Sequence, residues 1–512
     1  MATTPRSPLG AALRKPIRIN TVNGTVEGFT RGGVHRFRGI PYAEPPVGPL
    51  RLRAPRPAMP WTGVRKCRTW GAASIQQHRF AIILPGKPQK LSEDCLTLNV
   101  VAPEGPITGP LPVMFFIHGG GYFLGSSATP LYDGASLARQ GCVYVSVNYR
   151  LGGLGCVDLS SLSDEKHTID TNLYLRDLVL ALQWVRDNIG AFGGDPNNVT
   201  IFGESAGSHA VNTLLAVPSA AGLFHQAICQ STASGLVVSA EDAAVNARQF
   251  AKYLGANESN AAETVLTASP RNLVKALFRL VGSAKHVPGL SLRIGPSVDG
   301  DVLPLDPVEA MERGESHRVP LIIGYNAEEA TLFTKVLKIL PITPDALEHA
   351  LSKAGPEYVQ RIVASYEGYP SEKAILQLAG DLAFGSAAWR VAEAHGRYAP
   401  VYFYRYDYAT RALRRYGLGP THAIELLAVF GTYRTVAAPF LAGRRDRAAA
   451  RAVSDEMQRR WLSFARTGGP GGGWPAYTVP DRQVLIIDSP SRVESDPDGD
   501  RRPLWQDVAS IV

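Results

Sequence analysis

Residues 199–215 read VTIFGESAGSHAVNTLL, and this stretch decides the fold. Val199 to Phe202 has the β-branched and aromatic composition of a short strand. Gly203-Glu204-Ser205-Ala206-Gly207 fits the pattern G-x-S-x-G, and Ser208 to Leu215 can continue as a helix. A strand that turns sharply into a helix through small residues lifts a serine hydroxyl clear of the end of a sheet. Gly203 and Gly207 leave space for the helix to cross close beside the strand. The five-residue pattern is common by chance. Its strand-before, helix-after setting is the one a nucleophilic serine demands.

Outward from this turn, the chain alternates strands with helices. Between Asn172 and Gly190, Leu175, Leu178, Leu182, Val185 and Ile189 recur at three- and four-residue spacing, which predicts a helix with one buried stripe. A turn through Gly193-Gly194-Asp195-Pro196 leads from it into the strand at Val199. Leu111 to Ile117 (LPVMFFI) and Cys142 to Val147 (CVYVSV) are nearly continuous apolar runs, as strands covered on both faces are. Val319 to Ile323 and Val401 to Tyr406 read as later strands and Ser454 to Arg466 as a helix. Residues 240–290 and 340–400 read as mainly helical. Near the start, Ile19 to Gly28 alternates around Asn23-Gly24, a hairpin signal. The pattern predicts an α/β fold on a mostly parallel central sheet flanked by helices, with N-terminal antiparallel strands and helical insertions. One large domain over 1–512 is expected, with 1–18 as a flexible extension.

Composition supports a large core. The 512 residues are 45% hydrophobic and 19% charged, which excludes a disordered or acidic-tail protein. Five cysteines exclude a disulfide scaffold. The first twenty residues lack the apolar run of about seven or more that a secretory signal needs. No window of about eighteen apolar residues is present. A cytoplasmic protein without a membrane span is therefore expected. The net charge of +8 includes three short arginine groups: Arg411, Arg414 and Arg415; Arg444, Arg445 and Arg447; Arg501 and Arg502. Polyanion binding would need such groups gathered on one face, and sequence reads them as solvated surface, with no nucleic-acid partner.

A serine nucleophile needs an oxyanion site, a base and an acid. His118-Gly119-Gly120-Gly121-Tyr122 follows the strand at Leu111 to Ile117, and its glycines let backbone amides point into a site. The amides of Gly120, Gly121 and Ala206 are the oxyanion candidates, with His118 a structural hydrogen-bonding residue. In the chain order serine, acid, histidine, the base lies among His286, His317, His349, His395 and His422. His422 is the best of these, in a Gly/Pro turn beside an apolar run (GPTHAIELLAVFG). Asn326-Ala327-Glu328-Glu329 follows the C-terminal end of a strand, where open α/β sheets place their sites. Pattern does not separate Glu328 from Glu329, and Asp299 and Asp301 stay open.

Taken in order, FRGIPYAEPPVG (37–48), SEDCLTLNV (92–100), HGGGY (118–122), VNYRLGGLG (147–155), ALQWVRDNIGAFGGDPNNVTIFGESAG (181–207), GYNAEEATLF (324–333), THAIELLAVFG (421–431) and WLSFARTGGP (461–470) resemble the type-B carboxylesterases, α/β-hydrolases that include the cholinesterases. The resemblance spans nearly the whole chain. It implies Ser205 as nucleophile, Glu329 as acid, His422 as base, and Gly120, Gly121 and Ala206 as oxyanion amides. It implies hydrolysis of a small-molecule carboxylic ester through an acyl-enzyme, with no cofactor or metal, by a monomer or homodimer. Amidase, carbamate hydrolase, lipase and an inactive binding protein are the competing readings. Departures are visible. Glu328 and Ala330 replace Asp and Gly of the family's D-E-G motif. Tyr174 and Leu178 replace Gly and Gln of N-x-G-L-x-D-Q, so packing nearby should differ. Cys95 holds the position of a family disulfide cysteine, but the usual partner position holds Ser74. Cys67 is the nearby substitute, and both thiols are expected to be reduced. No Trp follows Trp70 before Cys95, which makes acetylcholine a poor substrate.

Overall fold

The computed structural model describes residues 15–77, 82–84, 87–106, 108–284, 289–336 and 339–505. A thirteen-stranded sheet runs through them. Its strands are β1 (Lys15–Thr21), β2 (Gly24–Thr30), β3 (Val34–Pro41), β4 (Val64–Lys66), β5 (Thr97–Pro103), β6 (Leu111–Ile117), β7 (Val143–Val147), β8 (Gly194–Glu204), β9 (Gln226–Gln230), β10 (Leu321–Asn326), β11 (Val401–Tyr406), β12 (Gln483–Ile487) and β13 (Arg492–Ser495). The order across the sheet is β1-β2-β3-β5-β7-β6-β8-β9-β10-β11-β12-β13, with β4 beside β2. From β7 to β12 all neighbours are parallel, and the strands on both margins pair antiparallel except β4, which runs parallel to β2. This is the α/β-hydrolase fold expected.

The apolar runs are continuous because both faces of the sheet are covered. On β6, Val113, Phe115 and Ile117 enter one core while Met114 and Phe116 enter the other. Helix α1 (Leu173–Asn188) covers the first face with Leu175, Leu178, Leu182 and Val185. Helix α2 (Ala206–Leu214) follows β8 directly. Helix α3 (Arg447–Thr467) covers the opposite face with Val453, Met457, Trp461 and Phe464. Under α1, Arg150 and Asp177 form a fully buried pair at 2.7 Å.

Several boundaries differ from the sequence reading; the helix expected from Ser454, for one, already starts at Arg447. Residues 15–18, expected in a flexible extension, open β1, because their backbone pairs with β2 and Arg18 donates to Glu27 at 2.9 Å. Residues 1–14 lie outside the described residues. The strand expected at Val319 begins at Leu321 and reaches Asn326, since Tyr325 and Asn326 pair with Arg405 and Tyr406 of β11. The strand before Ser205 starts earlier, at Gly194, with an irregular register before Val199. Cys67 and Cys95 are separate buried thiols, and the Ser74 hydroxyl hydrogen-bonds the Cys95 thiol.

Candidate active site

Ser205 sits between β8 and α2 with φ +59° and ψ −127°, a conformation that non-glycine residues rarely adopt. The neighbouring sequence holds it there. The Ser205 amide donates to the Gln230 carbonyl at 2.9 Å. A Cβ on Gly207 would strike the Ile117 carbonyl, and one on Gly203 would strike the Gly207 backbone. Only glycine permits this crossing of α2 over β6 and β8.

The loop after β6 bends back toward the serine through Gly120 (φ +116°) and Gly121 (φ +60°). The Gly120 carbonyl accepts from the amides of Phe123 and Leu124, which closes the loop on itself. His118 is a structural residue, as expected. Its ring stacks on Tyr149 at 4.6 Å and its Nδ1 lies 2.9 Å from the Gly119 carbonyl. Burial pulls its pKa down to about 4, against the pull of that hydrogen bond.

His422 comes to the same place from the segment that follows β11. Its Nδ1 lies 2.6 Å from Glu329 Oε2. Glu329 Oε1 accepts from the Ser231 hydroxyl at 2.6 Å and the Asn326 amide at 2.7 Å. The carboxylate is thus clamped by donors from the ends of β9 and β10. The other acid candidates are elsewhere. Glu328 is exposed and lies 3.6 Å from Arg414, Asp299 accepts from Asn172 at 2.9 Å, and Asp301 pairs with Arg176 at 3.1 Å. Among the other histidines, His317 and His395 bind backbone carbonyls of Val217 and Val319, each at 2.8 Å, and His349 is exposed. His286 lies outside the described residues.

Sequence reasoning missed two carboxylates. Glu204, the variable residue inside the serine motif, places Oε1 3.0 Å from His422 Nε2. Glu425, three residues after His422, accepts from Gln230 at 3.0 Å and Asn326 at 2.7 Å. Both are buried. Burial pushes the Glu204 carboxyl up to about 8, although His422 draws it down. Burial and Glu329 push Glu425 up to about 7. Burial disfavours charge on His422, but Glu204 and Glu329 outweigh it and hold the imidazolium up to about 9. The spacing THAIE was the available signal for Glu425, and nothing local pointed to Glu204.

Tyr174 has an equally specific place. Its hydroxyl donates at 3.2 Å to Tyr122, whose hydroxyl hydrogen-bonds His209 Nδ1 at 2.9 Å. Burial lowers His209 to about 3, which keeps the ring neutral. The departure at position 174 therefore ties α1 to the glycine loop and to the helix that carries Ser205.

Ser205, His422, Gly120, Gly121 and Ala206 all line one cavity of about 210 Å³, walled by apolar side chains such as Leu236, Phe333 and Phe384. Phe333 and Phe384 also flank the His422 ring, at 5.1 and 4.4 Å between centroids. Phe123, Leu290, Leu292, Val336 and Leu340 line both this cavity and an outer chamber of about 960 Å³. Among the described residues no helix is long and apolar enough to cross a membrane.

Known proteins are similar to this chain in sequence and in fold. The chain is 38% identical over 501 residues to the para-nitrobenzyl esterase of Bacillus subtilis (strain 168), covering 94% of this chain and 97% of that one. It is 33% identical to the phenmedipham hydrolase of Pseudarthrobacter oxydans, covering 93% and 95%. A solved para-nitrobenzyl esterase superposes with a TM-score of 0.85 at 36% identity, over 95% of this chain and 99% of that chain. A Geobacillus stearothermophilus carboxylesterase gives 0.82 at 34% identity, over 96% and 100%. The carboxylesterase family profile matches residues 15–505, and the chain belongs to that family of α/β-hydrolase-fold hydrolases.

Proposed function

We propose that the protein is a serine carboxylesterase that splits carboxylic esters through an acyl-enzyme on Ser205. The observation that carries this reading is the 2.6 Å contact of His422 with a clamped Glu329 in the cavity that Ser205 also lines. Glu329 fixes the ring so that Nδ1 carries a proton and Nε2 can accept one. His422 takes the Ser205 proton as the hydroxyl oxygen attacks the ester carbonyl. The oxyanion that forms is held by the amides of Gly120, Gly121 and Ala206, in a site whose apolar walls strengthen such bonds. His422 then gives its proton to the leaving alcohol, and water repeats the cycle on the acyl-enzyme.

Glu204 belongs in this scheme. It faces the Nε2 that becomes positive when the serine proton is taken, so it stabilises the imidazolium during both halves of the reaction. The compact inner cavity fits the smaller side of an ester, and the outer chamber accommodates a bulky apolar partner. The names of the two relatives, a para-nitrobenzyl esterase and a phenmedipham hydrolase, accord with an aromatic group in that chamber. Catalysis would reside in a single domain.

The test is Ser205→Ala, assayed on p-nitrophenyl acetate and butyrate, with a fluorophosphonate probe mapped by mass spectrometry on the parent. Loss of nearly all turnover and an adduct on Ser205 are expected. Undiminished turnover by pure S205A protein would overturn the assignment.

A further inference from the structure

Two of the three arginine groups that sequence left as dispersed surface come together in the fold; the third is not solvated surface, because Arg501 pairs with Asp381 and Asp498 and the buried Arg502 with Glu393 and Asp496. Helix Arg411–Arg415 packs beside helix Ala438–Ala442, where the Thr410 hydroxyl donates to the Leu441 carbonyl and the Arg411 amide donates to Asp446. This brings Arg411, Arg414 and Arg415 alongside Arg444 and Arg445, all exposed. The two nearest carboxylates engage only part of that charge: Asp446 lies 3.7 Å from Arg411, and Glu328 lies 3.6 Å from Arg414.

The same two segments carry exposed apolar side chains: Tyr416 closes the first helix, Val436 precedes the second and Phe440 lies on it. Tyr416 is 63% exposed, Phe440 73% and Val436 93%. A large side chain left this open contributes nothing to the core, and three together beside a cationic cluster mark an interaction surface. The face continues to the mouth of the outer chamber. A Cβ on Gly417 would meet Lys335 Nζ at 2.9 Å, and Lys335 and the exposed Val336 line that chamber.

We propose that this face docks on an anionic lipid surface and presents the chamber mouth to esters dissolved in it. Guanidinium groups bind lipid phosphates through paired hydrogen bonds. Phe440 and Val436 enter the interface between head groups, as apolar residues of surface-bound proteins do. The exposed apolar side chains favour a lipid surface over a purely ionic polymer, which would use the arginines alone. Docking is independent of the chemistry proposed at Ser205, so S205A protein should dock as the parent does.

Sedimentation with phosphatidylcholine vesicles containing about 30% phosphatidylglycerol tests this, with pure phosphatidylcholine as the control. Binding is expected only with the anionic vesicles. It should vanish as salt rises from about 0.01 M to about 1 M, because the screening length falls from about 30 to about 3 Å. Each arginine replaced by glutamine should weaken binding about fivefold, so Arg415→Gln, Arg444→Gln and Arg445→Gln together cost on the order of a hundredfold. Phe440→Ser should weaken binding while leaving its salt dependence intact. Turnover of dissolved p-nitrophenyl acetate should be unchanged in every variant, which also reports that each one is folded. Parent protein that stays in the supernatant with anionic vesicles at low salt overturns the proposal. So does undiminished binding by the triple variant, or binding to heparin with none to the vesicles.

Discussion

Replacing Glu204 by Gln should move the acid limb of the pH profile to lower pH. His422 must be neutral at Nε2 to accept the serine proton, so activity falls as acid charges it. In the parent, Glu204 stands 3.0 Å from that nitrogen and favours the charged ring. Two full charges at this separation attract by about 5 kcal/mol at an effective dielectric constant of about 20, a ceiling of about 4 pH units. The realised effect is smaller, because burial raises Glu204 itself to about 8 and it is only partly ionised near neutrality. Glu329 remains at 2.6 Å in either protein and keeps its own share of the pull. A downward shift of about one to two units is therefore expected. The pair titrates as a unit, so the limb belongs to both groups together. The assay is kcat/KM for p-nitrophenyl butyrate from pH 5 to 10 in both proteins, with fluorophosphonate labelling to count intact sites. The height of the profile is free to fall, since Gln also removes a charge that stabilises the imidazolium. Its acid limb is not free. An acid limb that stays in place or moves up refutes the pairing as the determinant of the base's pKa.

Glu329→Gln should lower kcat by on the order of a thousandfold or more with KM little changed, because an amide no longer holds His422 in the working tautomer; steady-state kinetics check it. Tyr174→Phe should lower kcat about tenfold and weaken a trifluoromethyl ketone inhibitor equally, because Tyr122 loses the donor that helps hold the glycine loop; unchanged inhibitor affinity would count against that link. Gly207→Ala should destabilise the protein by several kcal/mol, about 3 or more, because its Cβ meets the Ile117 carbonyl; chemical denaturation measures this. Asp177→Asn should cost about 3 to 5 kcal/mol by leaving the buried Arg150 without its counter-charge, a loss visible in the same denaturation curves.

What could be read from the sequence was whatever is local in chain and geometry. The apolar run 111–117 has the character of a strand buried on both faces, and the two cores divide its residues in just that alternation. The turn at Ser205 is equally local, since the glycines that permit it lie two residues to either side. Glu329 marks the boundary of this kind of reasoning. Position alone left four carboxylates, resemblance to a family chose one, and the fold supplies the cause: Ser231 and Asn326, at the ends of neighbouring strands, clamp Glu329 and not Glu328. Strand ends moved because pairing, not composition, decides them, so polar Asn326 joins β10 while apolar Val319 stays out.

What stayed hidden depends on side chains brought together from distant parts of the chain. Glu204 and His422 are separated by more than two hundred residues, and no periodicity announces their meeting. Tyr174, where the family has glycine, announced only that nearby packing should differ. In the fold its hydroxyl reaches Tyr122, so a lost glycine becomes a polar link to the glycine loop. The surface follows the same logic. Charge counted along a chain is a scalar, and +8 over 512 residues is weak. Packing helix Arg411–Arg415 against Ala438–Ala442 turns part of it into a field with a direction, close to Lys335 at the outer chamber. Where the charge points, not how much there is, decides whether it can act on a partner.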